Sequence, residues 1–123
     1  MAGERLHSLV LLLLFSPQIG SAQELPPNTA SRDDQLVELR KLQDASDWEG
    51  ILRRVPPAGG SAEQCFYRGL SLSRLQRWEL ARQAFEAGEK IAPTDPRFPT
   101  ELAGALFQLK QFQDAKNSLR KVL

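Results

Sequence analysis

The hexapeptides Gln76-Arg77-Trp78-Glu79-Leu80-Ala81 and Lys110-Gln111-Phe112-Gln113-Asp114-Ala115 lie 34 residues apart and match in kind. In each, two polar residues precede an aromatic one, and an alanine follows three positions later. A polar pair suits a turn, and an aromatic and an alanine three apart share one face of a helix. Downstream of the first hexapeptide, Ala84, Phe85 and Gly88 extend that face to Ile91, and Pro93 stops it. Upstream, Ser61 and Gln64 form a capping-box pair that opens a helix running to about Leu75. Around the second hexapeptide, Leu102, Ala103, Leu106 and Leu109 form one helix, and Phe112, Ala115, Leu119 and Val122 the next. Asp95-Pro96 marks the start of the former, a capping carboxylate followed by proline at the first helical position, with Pro99 still inside the first turn.

The amino-terminal side follows the same logic. Ser31 offers an N-cap hydroxyl with Asp34 three residues on, and Leu36, Leu39 and Leu42 follow at helical spacing. Asp47 caps a short helix holding Trp48, Ile51, Leu52 and Val55, and Pro56-Pro57 stops it, leaving Pro56 to Gly60 as a turn. No segment alternates with a period of two. The expected class is therefore all-α, built from three helix pairs.

The first residues read differently. A short polar start with Arg5, an apolar run from Leu9 to Phe15 and the small-residue stretch Gly20-Ser21-Ala22 are in the order of a secretory signal peptide. Cleavage is expected after Ala22, making 1–22 the signal peptide and 23–30, with Pro26-Pro27, a flexible Pro-rich linker. The run is far shorter than the roughly 20 residues a spanning helix needs, so no stable transmembrane anchor is expected. The single cysteine, Cys65, is too far from the cleavage point to be acylated there, and alone it forms no internal disulfide. A small buried apolar role suits it better than a reactive thiol.

Composition narrows the chemistry. The chain has 123 residues, 16 Lys+Arg against 15 Asp+Glu, a formal net charge of +1 and one histidine, His7, inside the segment expected to be removed. Without an imidazole, neither a Ser-His-Asp nor a Cys-His nucleophile can be assembled, and the ligands for an all-protein zinc site are missing. Gly59-Gly60 lacks the strand and lysine of a phosphate loop. The arginines alternate with acids over several helices, which gives no nucleic-acid footprint. Glu86 and Lys90, four apart, read as a solvated helix face. The expectation is a non-enzymatic chain with no cofactor and no metal.

A helix-turn-helix period of 34 residues is the signature of the tetratricopeptide repeat (TPR) family, which the chain resembles. Counted from Ala62, Gly69 falls at the eighth position, Leu72 at the eleventh, Ala81 at the twentieth, Phe85 at the twenty-fourth, Gly88 at the twenty-seventh and Pro93 at the thirty-second. Counted from Pro96, Leu102, Ala103, Leu106, Ala115, Leu119 and Val122 answer, with Phe112 in place of Trp78. Small residues let helices approach, and large ones fill the space between repeats. The pattern departs at Cys65 and Pro99, where an aromatic is usual, and at Arg68, where leucine is usual; Arg68 is expected to send its head to solvent. The resemblance implies a short right-handed solenoid of about three TPR-like pairs: a degenerate pair over 31–61, a repeat over 62–95, and a repeat over 96–123 with an incomplete carboxy-terminal end.

In that family the first helix of each repeat lines a concave groove that receives proteins or peptides. Carried over, the groove positions are Glu63, Phe66, Tyr67, Leu70, Ser73 and Arg74, then Arg97, Thr100, Glu101, Gly104, Phe107 and Gln108. Phe66, Tyr67 and Phe107 have two readings, a groove floor or packing against the first pair and the end of the array, and the residues alone do not choose between them. The implied function is an exported interaction scaffold of the bacterial periplasm or cell envelope, holding a protein or peptide partner, with self-association through the apolar carboxy-terminal helix as a further possibility. The alternative is the amino-terminal interaction segment of a larger envelope enzyme or assembly factor.

Overall fold

At three places the chain reverses through one and the same series of backbone conformations. Ser46, Gln76 and Lys110 take φ of 55°, 60° and 63°. Each is followed by an N-cap residue, Asp47, Arg77 or Gln111, at φ/ψ of −88°/73°, −92°/69° and −90°/67°. The N–H groups of Asp47, Arg77 and Gln111 donate to the carbonyls of Leu42, Leu72 and Leu106 at 2.8, 2.8 and 2.9 Å. Those of Ser46, Gln76 and Lys110 donate to Gln43, Ser73 and Phe107 at 2.9, 3.0 and 3.0 Å. This is the Schellman pattern, which satisfies the last carbonyls of one helix while a left-handed residue turns the chain into the next. The first pair, whose left-handed residue precedes the second by 30 positions rather than 34, makes the same turn as the other two.

A left-handed residue with a Cβ carries a steric penalty that glycine avoids. Gln76→Gly and Lys110→Gly should therefore each raise stability by about 0.5–1 kcal/mol, read as a higher urea midpoint at unchanged slope. A lower midpoint in both would contradict this account of the turns.

The computed structural model describes residues 31–123, in which the regular elements are all α-helices. In chain order they are α1 (Arg32–Asp44), α2 (Trp48–Arg54), α3 (Ala62–Arg74), α4 (Trp78–Ile91), α5 (Arg97–Gln108) and α6 (Phe112–Arg120). Residues 32–123 form one compact unit. The expected signal peptide and linker lie outside the described residues. Among the described residues no helix is long and apolar enough to cross a membrane.

The helix starts follow local chemistry. Asp47 Oδ1 accepts from the Gly50 N–H at 2.9 Å. At Ser61 the capping box is complete: Ser61 Oγ accepts from Gln64 N–H at 3.1 Å and Gln64 Oε1 from Ser61 N–H at 2.9 Å. At α5 the start is shifted by one residue from the sequence expectation. Pro96 is the N-cap and Asp95 precedes it, its carboxylate accepting from the Arg97 N–H at 3.0 Å.

Each helix packs on the next in sequence, and α3 also touches α5. Two glycines set the closeness of the central crossings. A Cβ built on Gly69 would lie 2.5 Å from Phe85 Cε1, and one on Gly88 would fall still nearer to Phe98 Cε1. Helix α3 thus meets α4 through Gly69 and Phe85, and α4 meets α5 through Gly88 and Phe98. Around these contacts lies the larger core, with Cys65, Leu72, Ala81, Leu102 and Leu106. A smaller one joins Leu39, Ile51, Val55 and Tyr67, tying the first pair to α3.

Two side chains have partners that their sequence spacing does not suggest. Arg68 does not reach solvent. It is only 5% exposed, and its Nη1 donates to the carbonyls of Pro56 at 2.7 Å and Gly59 at 3.1 Å. The turn after α2 carries carbonyls with no helical partner of their own, and the long stem of Arg68 brings donors to them through the core. Glu86 pairs with Arg82 at 2.6 Å rather than with Lys90; Arg82 also holds Glu79, and the two carboxylates keep its guanidinium strongly protonated.

Candidate protein-binding face

Helices α3 and α5 carry the groove positions, and the structure divides them into three groups. The first is a charged and aromatic cluster. Arg97 Nη2 donates to Glu63 Oε1 at 2.5 Å, and its guanidinium stands 4.5 Å from the centroid of the Phe66 ring. Glu63 and Arg97 hold the same position in successive 34-residue units, so the ion pair bridges α3 and α5 at one level. Asp95 joins from the α4–α5 turn at 2.8 Å; its hydrogen bonds from Arg97 hold the carboxyl below the usual range and the guanidinium above its own. Phe66 is half-buried, edge-on to Phe98 at 6.1 Å and to Tyr67 at 6.1 Å.

The second group belongs to the interior. Tyr67 and Leu70 are each 6% exposed, and Tyr67 packs in the smaller core beside Leu39, Ile51 and Val55. For Tyr67, packing against the first pair is the reading the structure supports.

The third group faces solvent. Arg74 is exposed at the end of α3, its guanidinium 5.8 Å from the Trp48 ring centroid, with Ser73 half-buried beside it. On α5, Thr100, Gly104, Phe107 and Gln108 are all exposed and Glu101 is half-buried. The Thr100 hydroxyl donates to the Pro96 carbonyl at 2.7 Å. Apart from its chain neighbours and the backbone of its own helix, nothing lies within 4 Å of where a Gly104 Cβ would stand. Phe107 is 60% exposed and meets the 55% exposed Phe112 edge-on at 5.3 Å. In sequence Phe112 is the counterpart of Trp78 at the turn and lies outside the expected groove positions; its separation from Phe107 by one Schellman turn is the signal that brings it to the face.

Chemically, the face offers exposed aromatic surface, an open helix edge at Gly104 and a fixed ionic cluster. Among the described residues no group of three or more His, Cys, Asp or Glu could hold a metal ion. Cys65 is fully buried. Comparison with protein-family models, with curated proteins and with solved structures finds no match for the chain.

Proposed function

We propose that the chain is an exported, non-catalytic interaction module of the tetratricopeptide type, three helix pairs in a short right-handed solenoid, which holds a protein segment on the α3–α5 face. Export through a signal peptide would place it in the bacterial periplasm or envelope. The observation that carries the reading is the exposed strip of α5, where Gly104 leaves room for a backbone beside the paired rings of Phe107 and Phe112. Interfaces draw on exposed aromatics of this kind, and an exposed helix-interior glycine lowers helix stability without a fold contact to explain it. The repeated Schellman turns and the Glu63–Arg97 bridge support the repeat assignment. The apolar side chains of Leu119, in the last turn of α6, and Val122, two residues beyond its end, are 44% and 36% exposed and extend the available surface.

Selection from a random peptide library against the exported chain tests the proposal. Enriched peptides should lose at least about tenfold in affinity for Phe107→Asp, whose stability should stay within about 0.5 kcal/mol of the parent because the ring is exposed. Mass spectrometry of the same sample should read a chain beginning at Gln23. Peptides that bind Phe107→Asp as well as the parent would remove this face from the account.

A further inference from the structure

A second opening lies behind α3, walled by α2, the turn at 56–60 and α4, with a volume of about 370 Å³. Its lining includes the buried Leu72, Ala84 and Arg68, the half-buried Leu52, and at the rim the half-exposed Leu80 and the exposed Gln83. No acidic residue lines it.

Arg68 is the unusual member. The ion pairs of the described residues engage Arg54, Arg77, Arg82, Arg97 and Lys121, and Arg68 has no carboxylate partner among them. Its Nη1 is committed to two backbone carbonyls and its Nη2 lies 3.5 Å from Cys65 Sγ. Among the hydrogen bonds of the described residues none is made by the Nε–H, and the Arg68 side chain forms part of the cavity wall. A cation that is nineteen-twentieths buried, neutralised only by dipoles and a thiol, favours an anion brought to it.

We propose that this cavity binds an aliphatic monocarboxylate, its carboxylate on the free edge of the Arg68 guanidinium and its chain along Leu52, Leu72 and Leu80. One buried positive charge matches one negative charge, and a dianion would leave an excess in an apolar-walled site. The size falls within the roughly 300–1,000 Å³ of small-molecule sites. The site shares no lining residue with the Gly104, Phe107 and Phe112 strip and stands independently of the protein-binding reading.

Titration calorimetry of the full chain with octanoate, below its micelle threshold, decides the matter, with 1-octanol as the uncharged control. Octanoate should saturate one site and 1-octanol should bind at least about tenfold more weakly, the usual scale for losing a charge-assisted contact. Arg68→Gln should lose the same factor. Because that variant also gives up the turn's anchors, Leu80→Glu provides the second arm: it places like charge at an exposed rim position, and should weaken octanoate by at least about tenfold at an unchanged unfolding midpoint. Absence of saturation by octanoate, equal binding of the alcohol, or unchanged octanoate affinity in a folded Leu80→Glu overturns the assignment.

Discussion

Replacing Gly88 by valine should destabilise the fold by about 3 kcal/mol or more, the upper range for overpacking a close contact, and substitution by alanine by about 1–3 kcal/mol. Helix propensity points the other way, since alanine in a helix interior is worth about 1 kcal/mol over glycine. The geometry decides the sign. The new Cβ would fall on the Phe98 ring, which is fully buried and packed edge-on with Phe66 at 6.1 Å, so the ring can yield only by displacing its core neighbours. Urea denaturation measures the loss. Coupling to Phe98 is read from Gly88→Ala with Phe98→Leu, in which the smaller side chain should return part of it. A Gly88→Val chain as stable as the parent would show that α4 and α5 do not cross at this residue.

Phe85→Ala should remove about 3–5 kcal/mol, the range for deleting a buried aromatic. Phe85 is wholly buried, set against Gly69 on α3 and 6.4 Å from the Phe66 ring, and belongs to the larger core. Total stabilities of small domains are about 5–15 kcal/mol, so the variant is expected to unfold at low urea or on mild warming. The residue 34 positions later gives the internal comparison. Leu119 is 44% exposed, and Leu119→Ala should change stability far less. Equal losses at the two positions would mean that α6 is covered as α4 is.

The helix count and the turns were legible in the residues themselves. Asp47, Ser61 with Gln64, and the prolines at 56, 57 and 93 act within a few positions of themselves, so a linear reading locates the ends they create. The 34-residue match also identified Gly69 and Gly88 as small because large partners cross there. The α5 start was displaced by one residue because Asp95 can serve either as a cap or, as observed, as the acceptor for both the backbone N–H and the guanidinium of Arg97.

Exposure was less legible. Phe66, Tyr67 and Phe107 look alike in sequence, yet Tyr67 is enclosed by α1 and α2, Phe66 is shared between the core and Arg97, and Phe107 stands in solvent. Arg68 shows the same difficulty in a charged residue: its expected route to water is replaced by carbonyls nine and twelve residues earlier. By itself the sequence determined the helices, their caps and the small residues at their crossings, because those depend on near neighbours and on periodicity. Only the tertiary structure decided which aromatics are covered, where the Arg68 charge lies and what the cavity beside it is made of, because burial is set by segments far away along the chain.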